Sequence, residues 1–221
     1  KDFKPDLSIN VVGNEQDYHF KVLYLILNKL GFKEKHFHLS YGMINVEGGK
    51  MKSREGTVID ADDLIVKLSE IAKKNNIEKT KDKKISQKEL EKRSKIISLA
   101  AIKYTLLKIE AKQNMLFNKN NSLSFEGNTG PYLLYTYARA SSIIKKSNAK
   151  PKKTLISLQP IEYNIISKIE KFPEIVYTAS KLYNPAIIAN YSHELAQLFN
   201  EFYHTCPVIG SPQESFRISL I

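Results

Sequence analysis

An apolar, β-branched run from Leu7 to Val12 stops at Gly13, and a second strand-like run extends from Phe37 to Val46. Between them, from Glu15 onward, Phe20, Leu23, Tyr24 and Leu27 recur at helical spacing until Gly31 ends the pattern. Strand, helix and strand at this spacing form a βαβ unit. Its crossover forces the two strands to be parallel, and a parallel sheet needs helices over its faces.

The period then changes. Glu47 to Gly56 reads as a loop, and Asp60, Asp62 and Asp63 open a helix at the end where the dipole favours acidic groups. Leu64, Ile65, Leu68, Ile71 and Ala72 form the apolar stripe of that helix. Lys73 to Lys95 has few apolar anchors and reads as an exposed, partly helical connection. Ile96, Ile97, Ala100, Ala101, Tyr104 and Leu107 mark the next helix, and from Pro131 the pattern stays helical to the end. In the last long helix Ile188, Tyr191, Leu195, Leu198, Phe199 and Phe202 share one face, with Asn190, Glu194, Gln197 and Glu201 on the other. An α/β part is therefore followed by an all-α bundle, and the chain as a whole is mainly α.

The chain's 221 residues, 42% of them hydrophobic, suffice for a sizeable core. A net charge of +11 favours a polyanionic partner, nucleic acid first, with a solvated lysine surface as the alternative. The single Cys206 excludes an internal disulfide framework and fits a reducing compartment, so a cytoplasmic location is expected. No run approaches the ~20 apolar residues of a membrane span, and no membrane partner is expected.

The loop GGKMKSREGTV, Gly48 to Val58, concentrates Lys50, Lys52 and Arg54 beside two glycines, an arrangement suited to clamping a triphosphate. It is not a Walker A loop, because Met51 follows Lys50 where Ser or Thr is required. A basic hairpin tip without a ligand is the other reading. Gly13 stands at a strand end, where ligands bind in open α/β sheets, and Gln16 and His19 follow it. His19 reads equally as a packed or surface histidine. His36 and His38 alternate on one strand, but no Cys or carboxylate set completes a metal site, and none is expected. Tyr132, Tyr135 and Arg139 share one helical face, offering rings and a guanidinium plane to unstacked bases. The same spacing predicts that Leu133, Leu134, Tyr137 and Ile144 pack inward. The other reading has the tyrosines capping the bundle core.

Four segments carry a resemblance. GGKMKSREGTVIDADDL is similar to the KMSKS loop of class I aminoacyl-tRNA synthetases, in the form found in arginyl-tRNA synthetases. INVVGNEQDYHF resembles their strand-end segment, and FEGNTGPYLLYTYARASSII together with PAIIANYSHELAQLFNEFYHTCPV resembles their DALR-type anticodon-binding domain. The resemblance covers nearly the whole chain and is weakest across Lys73 to Lys95. It implies the C-terminal part of a Rossmann-type catalytic domain over 1–118, with the KMSKS-type loop at 47–58, and a helical anticodon-binding domain over 119–221.

The implied activity is ATP-dependent attachment of arginine to tRNA(Arg), by a monomer. ATP, with Mg2+, enters as a substrate, and no bound metal or organic cofactor is implied. Lys50, Lys52 and Arg54 would stabilise the pyrophosphate, the burden falling on one or another of the three. Met51, Ser53, Gly13 and His19 would line the ATP site, Gln16 would contact arginine, and Tyr132, Tyr135 and Arg139 would meet the tRNA. Asn190, Tyr191, Phe199, Asn200, Phe202, Tyr203, Cys206, Pro207 and Val208 also match, and most of these are expected to be structural.

The family's HIGH signature is not found in this sequence, and the family continues beyond Arg217 for another helix and a tail. The chain is therefore expected to be a fragment that does not activate arginine alone. The alternatives are a non-catalytic tRNA-binding paralogue and a cysteinyl-type synthetase. The absence of zinc ligands and the NEQDYHF segment argue against the second.

Overall fold

A computed structural model describes residues 5–46, 60–79, 86–152 and 157–221. Two compact units emerge, the first comprising Lys1–Ile59 and Ile109–Asn118 and the second Asp60–Lys108 and Lys119–Ile221.

In the first unit, β1 (Leu7–Gly13) leads through a 3-10 turn at Asn14–Gln16 into α1 (Asp17–Lys29) and back to β2 (Lys35–Tyr41). The strands pair in parallel, Leu7 opposite Lys35 through Gly13 opposite Tyr41, as a βαβ crossover requires. Gly31, at φ +87, supplies the left-handed residue that ends α1. Ser8, Asn10, Val12, His36 and His38 alternate onto one face of this sheet, with Ile9 and Val11 on the opposite one.

The expected strand from Phe37 to Val46 is divided. β2 ends at Tyr41, and β3 (Ile44–Val46) forms a separate parallel pair with β4 (Met115–Phe117). The break falls at Gly42, where a Cβ would lie 2.3 Å from the Gln113 carbonyl oxygen. There the Gly42 N–H donates to Ala111 O at 2.6 Å, and the Met43 N–H donates to Asn114 Oδ1 at 2.7 Å. These contacts bring 109–118 back beside β3.

The second unit is wholly helical among the described residues: α2 (Ala61–Lys79), α3 (Gln87–Leu107), α4 (Lys119–Ser122), α5 (Gly130–Lys146), α6 (Pro160–Glu170), α7 (Phe172–Leu182), α8 (Ala186–Thr205) and α9 (Glu214–Leu220). The connection expected over Lys73–Lys95 is helical at both ends, α2 running into it and α3 emerging from it. Ser86 caps α3 by accepting the Glu89 N–H. Small polar residues replace the missing apolar anchors there: Ser94 and Ser98 are buried, and Ser98 Oγ meets Ser69 Oγ of α2 at 2.8 Å. The bundle core gathers Ile143, Ile161, Ile165, Phe202, Cys206, Val208 and Ile218. Within it Glu162 is fully buried and accepts from Arg217 Nε at 2.8 Å and from the Gln159 N–H at 2.8 Å.

The described residues are thus mainly α, with two short parallel sheets in the first unit and an all-α bundle as the second. No helix of the described residues is long and apolar enough to cross a membrane.

Candidate substrate and nucleic-acid sites

The first candidate site lies where β1 runs into α1. Gly13 has φ −58 and ψ 151, an extended conformation open to any residue. Among the described residues, a Cβ on it would meet Tyr41 atoms at 4.0 Å, an ordinary contact. Neither its backbone nor its packing against the described residues therefore requires glycine here. Gln16 closes the 3-10 turn and is exposed, as is His19 in the first turn of α1. The exposed His19 ring makes an edge contact with Phe20 at 5.7 Å.

Behind this turn a polar and aromatic layer joins α1 to the sheet. Tyr24 Oη donates to Asn10 Oδ1 at 2.8 Å and its ring stacks on His36 at 5.2 Å. Burial raises the Tyr24 hydroxyl pKa. Phe20 lies 4.3 Å from the His38 ring. His38 itself contacts Val12 O at 3.0 Å and Asp17 Oδ1 at 3.3 Å. His36 and His38 are thus committed to ring stacking and to the turn. No group of three or more His, Cys, Asp and Glu among the described residues is placed to hold a metal ion. Lys50, Met51, Lys52, Ser53 and Arg54 lie outside the described residues.

The second candidate site is a face of the helical unit. α5 starts at Thr129, whose hydroxyl accepts the Tyr132 N–H at 3.2 Å, with Pro131 in its first turn. Its inward positions are Gly130, Pro131, Thr136 and Ile143. The inward assignment of Tyr137 and Ile144 is therefore corrected, for they are 73% and 48% exposed. A Cβ at Gly130 would lie 2.1 Å from the Ala100 carbonyl oxygen of α3, so α3 and α5 approach closely there, whereas Thr136 meets Asn200 of α8.

Tyr132, Tyr135 and Arg139 come together with two α8 residues assigned no binding role from sequence. Arg139 Nη1 donates to Asn200 Oδ1 at 2.5 Å, and Nη2 donates to Tyr135 Oη at 2.6 Å. The guanidinium carbon sits 4.6 Å from the Tyr135 ring centre and 4.3 Å from that of Tyr203. Asn200 Nδ2 donates toward Tyr132 Oη and Thr136 Oγ1, each at 2.9 Å. Tyr135 and Tyr203 keep 47% and 40% of their surface exposed, so the rings are accessible and not sealed as core caps. The sequence signal for the additions was the i, i+3 spacing of Asn200 and Tyr203.

Beside Tyr132, His193 lies with its ring 5.5 Å away. Its pKa is lowered first by burial and then by the Lys108 charge. Burial likewise lowers Lys108, whose Nζ donates to Asn128 O at 2.8 Å, and pushes Tyr104 up to about 12. The bundle also holds a cavity of about 860 Å³ lined by Leu134, Phe172, Tyr191, Phe199 and Ile221 among others. That lining is largely apolar and offers base edges little to bond, which singles out the Tyr135–Arg139–Tyr203 cluster as the candidate interface.

Comparison with known proteins places the chain in a defined context. Residues 1–119 match the family described as tRNA synthetases class I (R), catalytic domain, and residues 133–221 match the DALR anticodon binding domain. The arginine–tRNA ligase of Flavobacterium psychrophilum is 44% identical over 218 residues, covering 96% of this chain and 36% of that protein. The arginine–tRNA ligase of Phocaeicola vulgatus is 40% identical, covering 99% of this chain and 37% of that protein. Among solved structures, arginyl-tRNA synthetase of Thermus thermophilus superposes with a TM-score of 0.86 at 28% identity, over 98% of this chain and 38% of that one. That of Plasmodium falciparum gives 0.81 at 26% identity, over 97% of this chain and 37% of its own. The chain therefore spans a little over a third of the length of the relatives it matches.

Proposed function

Because the chain belongs to the class I (R) tRNA synthetases, we propose that the protein carrying it is an arginine–tRNA ligase. It joins the carboxylate of arginine to the adenylyl group of ATP, releasing pyrophosphate, and then transfers arginine to the terminal adenosine of tRNA(Arg), releasing AMP. The reading assigns 1–118 to catalysis and 119–221 to the anticodon, in a cytoplasmic monomer.

In the first step a carboxylate oxygen of arginine attacks the α-phosphorus of magnesium-bound ATP, and the bond to the pyrophosphate oxygen breaks. Negative charge grows on the leaving group, which Lys50, Lys52 and Arg54 stabilise, with Met51 and Ser53 shaping the same loop. Gly13 leaves room at the strand end for ATP to approach the backbone, His19 borders it, and Gln16 contacts arginine. Support for Gly13 is its ordinary backbone and its open surroundings among the described residues, which leave space there for a ligand. Gly13→Ala should leave the melting temperature within about 2 °C of the parent while lowering kcat/KM for ATP by roughly tenfold or more. Equal kcat/KM values in pyrophosphate exchange by the full-length natural protein would remove Gly13 from the site.

The observation that carries anticodon binding is Arg139 held between the Tyr135 and Tyr203 rings. Its two bonds, to Asn200 and Tyr135, fix the guanidinium plane before RNA arrives. They commit two of five N–H donors, so others can meet a base edge or phosphate oxygen. The exposed ring surfaces of Tyr135 and Tyr203 suit stacking of single-stranded bases, at about 1–3 kcal/mol per base. Tyr135→Ala should weaken binding of a tRNA(Arg) anticodon stem-loop to this chain by about 5- to 150-fold. Arg139→Lys should also weaken it, because an ammonium reproduces neither the planar stack nor the paired donors. Unchanged affinity for both variants, measured at fixed salt, would refute the interface.

A further inference from the structure

We propose that His38 is a positioning residue that fixes the turn presenting Gln16 to arginine. The inference rests on the reading of Gln16 as an arginine contact. His38 sits on β2 opposite Asn10, with its side chain only 9% exposed. Its two ring nitrogens reach opposite ends of the same short segment. Nε2 lies 3.0 Å from the carbonyl oxygen of Val12, the residue before Gly13. Nδ1 lies 3.3 Å from Oδ1 of Asp17, the first residue of α1. Everything between those anchors is the turn Gly13–Gln16.

One rigid ring thus spans the turn and holds its entry and exit at a set distance. The ring is itself held flat against α1 by Phe20, 4.3 Å away and tilted by 30°. Phe20 lies one helical turn beyond Gln16 and so links the ring to the same segment. An apolar residue of equal size would fill the space yet leave both ends of the turn untied. Val12 O and Asp17 Oδ1 are both acceptors, so a neutral imidazole, with one N–H, donates to one of them at a time, and the imidazolium form donates to both. Asp17 gains in addition from its place at the N-terminus of α1. Gln16 has only exposed surroundings of its own, so its aim depends on how firmly the turn is clamped.

The test uses the full-length natural ligase carrying this chain, with wild type, His38→Phe, His38→Gln and Gln16→Ala compared side by side. His38→Phe keeps the ring packing on Phe20 and removes both polar ends. It should raise KM for arginine about tenfold or more, with affinity for tRNA within about twofold of wild type. His38→Gln, which restores a donor near the Nε2 position, should recover most of that loss. Wild-type arginine KM in the Phe variant would overturn the proposal, since packing alone would then suffice. So would a parallel loss of tRNA affinity, which would mark a general structural defect. Gln16→Ala separates the two levels. If it leaves arginine KM unchanged, the assignment of Gln16 fails; if it raises KM while His38→Phe does not, only the role of His38 fails.

Discussion

Glu162→Ala is expected to cost the protein about 3–5 kcal/mol, because it strands a guanidinium inside the bundle. Glu162 is fully buried and Arg217 is 8% exposed, so water can replace little of what the carboxylate supplies. Its Oε1 takes the Arg217 Nε bond and its Oε2 takes the Gln159 N–H at the start of α6. Arg217 is tied further to Pro207 O at 2.6 Å and to Gln213 Oε1 at 3.1 Å, which prevents it from swinging out to solvent. For a chain of this size the loss corresponds to a fall in melting temperature of about 2–4 °C per kcal/mol. The double variant Glu162→Leu with Arg217→Met should recover much of the loss, since an apolar pair removes the charge together with its partner. A single Glu162→Ala variant within 1 kcal/mol of the parent, measured by urea denaturation, would show the pair to be dispensable.

Gly130→Ala should be the most damaging single-methyl change in the helical unit. A Cβ there would lie 2.1 Å from Ala100 O and 2.5 Å from Ala100 C. Both obstacles belong to the backbone of α3, so no rotamer change relieves them and the two helices must separate. Overpacking of this kind costs at least about 2 kcal/mol, and widening the α3–α5 contact would loosen Tyr104 against Asn128 and Ala189 as well. Gly13→Ala, with only 4.0 Å contacts, is the matched control in which no comparable loss is expected. Similar melting temperatures for the two variants would contradict the close approach of α3 and α5.

How much of this could be read from residues alone depended on the range over which each feature is decided. β1, α1 and β2 were legible because one stretch holds the apolar run, the helical period and the terminating Gly31. β4 was not. Met115–Phe117 is three residues long, and its identity as a strand depends on β3, with the neighbouring Met43 and Asn114 bonded across 71 positions. α2 and α3 were underestimated for a related reason. Their contact includes the Ser69–Ser98 hydroxyl pair, residues that count as polar in any periodicity yet allow close helix approach. The Tyr132–Tyr135–Arg139 face was foreseen from spacing. The inward placement of Tyr137 failed because the buried position beside it is Thr136, which Asn200 of α8 bonds, a preference set by another helix and invisible within α5. Asn200 and Tyr203 joined the site only once α8 lay beside α5. The cationic loop at Lys50–Arg54 is a sequence inference throughout, carried by its resemblance.

The pairing of β3 with β4 also orders events during synthesis. β3 emerges from the ribosome long before its partner, while α2 and α3 are made in between. Those two helices can form a hairpin from local contacts alone, which is fast. Its formation shortens the effective loop that β3 must close to reach β4, and closure entropy grows with the logarithm of loop length. The hairpin therefore acts as an internal folding scaffold, and weakening it should delay maturation of a sheet to which it contributes no strand.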